Sequence, residues 1–201
     1  MSSKPRLIIS GVIYQVRASS ARNEKIFNSE KMRTEFLKIL QKKLKAHSFK
    51  CYGYSIEDTH YHLVLKTGSI TISKFLQKVN STFARRYNRF VGGNGVVFNR
   101  PFTSILVEDT NLKELVRYVH LNAVRNQSCS IDNIENYKWC SHGDVLNRVQ
   151  NSVVDLEYVL NKFTETDKCR AFDDFVRSGF NDNDILIKQI RNANSGKQKF
   201  S

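Results

Sequence analysis

Two histidines flank a single tyrosine in DTHYHLVLK, residues 58–66. Side chains alternate along a strand, so His60 and His62 share one face while Leu63 and Leu65 take the other. The pair has two readings: a surface or cross-strand histidine pair, or two ligands of one metal ion. A divalent site needs a third ligand and open positions for water or substrate. Asn122 supplies that ligand through its amide oxygen if the helix carrying it packs over the central strands. Two neutral imidazoles and an amide bring no charge, which suits an ion whose counter-charge is a phosphate.

Asn122 ends the segment RYVHLN, residues 117–122. On this helix Leu112, Leu115, Val116, Val119 and Ala123 form an apolar stripe. Tyr118 and Asn122, spaced i and i+4, lie together at its margin, where a side chain reaches from core to solvent. A tyrosine there is either a packing residue or a nucleophile. His120 points away from that pair, as a solvent or groove residue rather than a ligand. An earlier helix carries the charge. Ile72, Phe75, Leu76, Val79, Phe83, Tyr87 and Phe90 fall on one arc, and Lys74, Lys78, Arg85 and Arg89 on the opposite one. No carboxylate occurs between Asp58 and Glu108. A solvated face usually mixes signs, so phosphate binding is the favoured reading.

These residues need a scaffold, and the hydrophobic patterning outlines it. Residues 7–17 read as a strand broken by Gly11, and 29–46 as an amphipathic helix with Ser29 at its N-cap. Two strands follow, 49–58 and the stretch from His60, joined by a tight turn at Glu57–Thr59. A helix over 70–90 ends at the glycines of VGGNG, then come a strand at 102–109 and a helix at 110–126. The order β-α-β-β-α-β-α predicts an α+β fold, a ferredoxin-like antiparallel sheet with helices on one face. Beyond it, helical patterns recur near 155–163, 167–178 and 182–193, and the end, NSGKQKFS, reads as disordered.

The chain of 201 residues carries a net charge of +13. Residues 1–100 hold 19 Lys/Arg against 5 Asp/Glu, and the remainder 13 against 14. So one-sided a field suggests a polyanionic partner, most simply nucleic acid. No apolar run approaches the roughly 20 residues of a membrane span, and the N-terminus lacks a signal-peptide pattern. Cys51, Cys129, Cys140 and Cys169 have no close paired spacing. They read as reduced thiols of a cytoplasmic protein rather than a zinc cluster or a disulfide framework.

With these motifs in order, the chain resembles the single-tyrosine HUH transposases, in particular the REP-associated tyrosine transposases. HYH at 60–62 fits the family's His-hydrophobic-His motif. RYVHLNAVRN at 117–126 matches the segment that commonly runs RYIHLNPVRAG. The likeness covers roughly residues 5–145 and includes GVIYQVRA, GVVFNRPFTSILVED and YKWCSH. It implies a transposase domain over 1–145, with 146–201 a helical extension ending in a disordered tail. It also implies Mg²⁺ or Mn²⁺ held by His60, His62 and Asn122, and Tyr118 as nucleophile. Attack on single-stranded DNA, at a hairpin-forming element, would give a 5′-phosphotyrosine and a free 3′-hydroxyl without ATP. Lys74, Lys78, Arg85 and Arg89 would be DNA contacts. Relatives include dimers in which the tyrosine helix works in trans, so a homodimer is one arrangement open to this chain.

The sequence also departs from that pattern. Relatives commonly read MPNHVH where this chain has IEDTHYH, so Asp58 and Thr59 replace a Pro–Asn turn. Ala123 follows Asn122 where the family has proline, and Asn126 stands where Ala-Gly usually continues. A diverged active enzyme and a domesticated, non-catalytic DNA- or RNA-binding protein both fit. The RNA reading needs exposed aromatics on the sheet, and Tyr52 and Tyr54 are its candidates. A zinc hydrolase is disfavoured, because no cysteine or carboxylate has ligand spacing.

Overall fold

The computed structural model describes residues 10–149 and 153–180. Its elements run β1 (Ile13–Ser19), α1 (Glu30–Ala46), β2 (Lys50–Ile56), β3 (His60–Lys66), α2 (Ile72–Val91), β4 (Thr103–Val107) and α3 (Leu112–Arg125). The sheet order is β2-β3-β1-β4, with every pairing antiparallel. That is the expected ferredoxin-like arrangement. The expected caps form as well: Ser29 accepts from the Met32 N–H, and Gly92, at φ 69°, closes α2 in the left-handed region. Gly11, at φ 80°, precedes β1. Residues 7–9 of the predicted first strand, the 182–193 helix and the C-terminal tail lie outside the described residues.

Period-2 alternation in β3 sorts two cores. Tyr61 points toward α1 and α2, where its ring lies 4.6 Å from Phe36 and its hydroxyl donates to Asn80 Oδ1 at 2.7 Å. Phe27, Phe36, Phe83 and Phe98 complete an aromatic cluster beneath these helices. His62, the next residue, must face the other way, and there it meets α3, with the Tyr118 ring 6.1 Å away. Helices therefore cover both faces of the sheet rather than the one expected. Gly53 in β2 permits the close approach of α3: a Cβ there would lie 3.4 Å from His120 and 3.5 Å from Val116.

The chain then folds back over the outer side of α3. Residues 139–141 run along β2, with Ile56 N donating to Trp139 O and Tyr54 N to Ser141 Oγ. Next come α4 (His142–Leu146), α5 (Leu156–Leu160) and α6 (Lys168–Ser178). A helix covered on every side buries residues all round, and α3 does so from Tyr118 to Val124. His120 is accordingly no solvent or groove residue. It is fully buried, with Nε2 2.8 Å from Ser141 Oγ and its ring against those of His142 and Phe172.

Burial holds the His120 imidazole well below its ordinary pKa, and neighbouring His142 pushes the same way. His120 thus stays neutral in the folded protein while the unfolded chain takes up a proton below about pH 6.5. The unfolded state then binds more protons, so stability is lost as pH falls through that value. The His120 contribution should approach about 1.4 kcal/mol per pH unit. Urea midpoints measured between about pH 7.5 and 5 check this. His120→Gln should flatten the acid branch, and an unchanged branch would assign it to other groups.

Candidate active site

The β2–β3 hairpin closes with Glu57 N donating to His60 O at 2.9 Å, which leaves Asp58 and Thr59 at its tip. Asp58 turns outward to Arg33, 2.6 Å away. Glu57 turns inward. Its carboxylate is almost fully buried, accepts from Ser55 Oγ at 2.5 Å, and has Oε2 3.6 Å from His60 Nε2. One ligand atom each of Glu57, His60 and His62 lies within 4.8 Å of the others. The two imidazole rings stand 5.2 Å apart and nearly perpendicular. Gln15 lies 3.0 Å from His62 Nδ1, orienting that ring.

Tyr118, Asn122 and Asn126 follow at i, i+4 and i+8 along one face of α3. The Tyr118 ring and the His62 ring meet nearly perpendicular, and Asn126 lines the same cleft as Glu57 and His60. Asn122 lies between Tyr118 and Asn126. Its Nδ2 donates to Tyr118 O at 2.8 Å, which leaves the amide oxygen as its ligand atom. The strand histidines and the helix tyrosine are thus brought together as expected, but a carboxylate joins them. Glu57 corrects the expectation that no carboxylate had ligand spacing. Its signal, Glu-x-x-His across a hairpin turn, becomes meaningful only once the turn is known to be tight.

The electrostatics suit a cation. Burial raises the Glu57 carboxyl to about 7, against the lowering effects of Ser55 and Arg17. Burial, with Arg17 adding, lowers His60 to about 4 and keeps its imidazole neutral. Glu57 Oε2 is a buried oxygen with no hydrogen-bond partner among the described residues. Leaving such an atom unpaired costs roughly 1–3 kcal/mol, more when charged. A divalent ion would satisfy it, and a carboxylate with two imidazoles is a chemically competent donor set. Beside the cluster opens a cleft of about 410 Å³ lined by Arg33, Glu57, His60, Asn126, Ser128 and Tyr137.

Arg17, inside the GVIYQVRA segment, is a site residue that sequence reasoning left without a role. It sits in β1 directly opposite His62 and so shares its face. No carboxylate of the described residues forms an ion pair with it. The four cations singled out on α2 are exposed, on the far side of the sheet from the histidines. Lys74 and Arg85 line a groove there, and Lys78 and Arg89 lie outside it. Tyr52 and Tyr54, the candidate RNA-stacking aromatics, are buried. Tyr52 stacks on Tyr158 of α5 at 4.5 Å, and Tyr54 donates to Asp144 of α4.

No helix among the described residues is long and apolar enough to cross a membrane. No curated protein sequence matches the chain. Among solved structures, a REP-associated tyrosine transposase bound to a REP hairpin superposes with a TM-score of 0.58 at 13% identity. That match covers 76% of this chain and 90% of the other, and it shows a shared fold. A protein from Deinococcus radiodurans described as a transposase covers 68% of this chain and 98% of its own at 16% identity. Its TM-score is 0.43. The family of IS200-like transposases matches residues 8–122, a span that takes in the histidine strand and ends at Asn122. The chain belongs to that IS200-like transposase family.

Proposed function

We propose that this transposase cuts and rejoins single-stranded DNA, with Tyr118 as the nucleophile, at a hairpin-forming element. The observation that carries the reading is the Tyr118 ring packed against His62, one member of the Glu57–His60–His62 cluster. Glu57, His60 and His62 would hold a divalent ion, with the Asn122 amide oxygen as a further donor. The two imidazoles favour Mn²⁺ over Mg²⁺, which prefers an all-oxygen shell. When bound, the ion supplies Lewis-acid stabilisation of negative charge on the scissile phosphate.

The chain's own residues do the rest. Tyr118 Oη forms a bond to phosphorus as the P–O3′ bond breaks, giving a 5′-phosphotyrosine and a 3′-hydroxyl. The phosphodiester energy is kept in that linkage, so the reverse attack by a 3′-hydroxyl rejoins strands. α3, packed on every side, holds the phenol in place and limits the motion lost on reaction. Arg17 offers a guanidinium on the same face to the non-bridging oxygens. Hairpin recognition has support from the solved structural neighbour, which is bound to a REP hairpin.

Incubating the protein with hairpin-bearing single strands and Mn²⁺, then separating the products on a denaturing gel, tests the reading. A covalent protein–DNA band is expected. Tight binding with no such band under any divalent ion would favour a non-catalytic DNA-binding protein. Arg17→Gln should lower the cleavage rate by about 10²-fold, the loss typical of one transition-state donor. Arg17→Lys should recover part of it, and a Gln variant cutting at the wild-type rate would remove Arg17 from the site.

A further inference from the structure

Each histidine of the cluster is held from behind by one polar neighbour, and in both rings the held atom is Nδ1. Gln15 Nε2 lies 3.0 Å from His62 Nδ1, and Thr59 Oγ1 lies 3.2 Å from His60 Nδ1. Both neighbours are anchored to β1. Gln15 is 2% exposed within that strand, paired with Val64 on one side and Ile105 on the other. Thr59, at the hairpin tip, has its carbonyl accepting from Ser20 N at 2.7 Å, just past the strand's end. A neutral imidazole carries its proton on one nitrogen and a lone pair on the other, so a partner on Nδ1 decides what Nε2 offers.

The contact to Gln15 allows two schemes, because a half-turn of the amide exchanges its oxygen and nitrogen. If the NH₂ group donates to Nδ1, the His62 proton sits on Nε2, and that nitrogen has no lone pair for a cation. Gln15 Oε1 is then a buried oxygen with no hydrogen-bond partner among the described residues. If the oxygen instead accepts from Nδ1–H, it gains a partner and Nε2 keeps its lone pair. The Thr59 hydroxyl presents the same choice to His60, since it both donates and accepts.

The far side of His60 favours the second scheme. Its Nε2 is 3.6 Å from Glu57 Oε2. An N–H···O bond spans only about 2.7–3.2 Å, so no proton is shared between these two atoms. Glu57 Oε2 is itself buried without a hydrogen-bond partner among the described residues. A lone pair facing a carboxylate oxygen keeps the two apart and leaves a gap that a shared cation closes. The His62 ring stands 5.2 Å from the His60 ring and belongs to the same cluster. Lone pairs on both Nε2 atoms, together with Glu57 Oε2, give one cation three donors.

Resting on the reading of this cluster as the ion site of the transposase, we propose that Gln15 and Thr59 are positioning residues. As hydrogen-bond acceptors they keep the proton of each histidine on Nδ1 and preset both Nε2 lone pairs toward the cation. Gln15 has the larger effect, because it is buried in an interior strand where water cannot replace it. Thr59 is half-buried at a turn, where water can take over from its hydroxyl. The isolated imidazole prefers its proton on Nε2, so the folded chain opposes the ring's own preference before any ion arrives. An ion then meets ligands whose orientation and proton position need no change.

Long-range ¹H–¹⁵N correlation spectra of the full chain, labelled at histidine and kept with a chelator and without DNA, read the proton position directly. The spectra are taken above about pH 7.5, where imidazoles of ordinary pKa are neutral. Wild type should show Nδ1–H on both His60 and His62. Gln15→Leu should move the His62 proton to Nε2 and weaken Mn²⁺ binding by about 10–100-fold, read by calorimetry. Gln15→Glu should keep Nδ1–H and bind Mn²⁺ at least as tightly as wild type, because a carboxylate can only accept from the ring. Thr59→Val should cost less affinity than Gln15→Leu. Three results would overturn the positioning role: Nε2–H on either histidine of wild type, a Gln15→Leu variant that binds Mn²⁺ as wild type does, or a Gln15→Glu variant as weak as Gln15→Leu. The transposase reading survives each of them if Tyr118 still forms its adduct with DNA. A wild type that binds no Mn²⁺ would sink the ion site and this proposal with it.

Discussion

Tyr118→Phe should eliminate the covalent protein–DNA adduct and lower strand cleavage by about four orders of magnitude or more, as removal of a nucleophile does. The substitution deletes one oxygen. The ring stays packed against His62, and α3 keeps its packing against the sheet and the C-terminal helices. Folding stability should change by no more than about 1 kcal/mol, the usual net value of one hydrogen bond. DNA affinity should be unchanged, because cations elsewhere supply it. The measurement is a denaturing gel with a 5′-labelled and a 3′-labelled strand in parallel. Only the strand whose 5′-phosphate is retained on the protein should shift. An adduct that persists in Tyr118→Phe would place the nucleophile on another residue, leaving the histidine cluster without its proposed partner.

The second large effect concerns the metal ligands, and it separates Glu57 from Asn122. His60→Ala and His62→Ala should each abolish ion-dependent cleavage while sparing most DNA binding. Glu57→Gln keeps the volume and the contact with Ser55 but removes the charge facing the ion. It should weaken Mn²⁺ binding by at least about tenfold, read by calorimetry on the DNA-free protein. Asn122→Ala removes one neutral donor, and its amide also braces the Tyr118 carbonyl. Its effect on ion affinity should be smaller than that of Glu57→Gln. The reverse ranking would return the third ligand to the helix amide and make Glu57 a second-sphere group. Normal cutting by the double histidine variant would dismiss the metal site altogether.

What the chain reveals by itself is what local periodicity encodes. Alternation in HYHLVLK places both histidines on one face because the strand repeat is two, whatever packs above it. The 3.6-residue repeat puts Tyr118 and Asn122 on one margin of a helix for the same reason. The caps at Ser29 and Gly92 are likewise local, and so the element order and the ferredoxin-like sheet were legible. Helices on both faces were not, because the direction in which α3 leaves β4 depends on what covers its outer side. That covering comes from residues after 126. It buries His120 against Ser141 and hides Tyr52 and Tyr54 beneath α4 and α5. Glu57 and Arg17 became site residues through pairing: a tight hairpin swings one carboxylate inward, and β1 lies beside β3 with Arg17 opposite His62. Sequence spacing carries no trace of such register, since strand partners are chosen by the whole sheet. The chemistry available was written in residue types and repeats, and the tertiary fold decided which charged groups stand beside it.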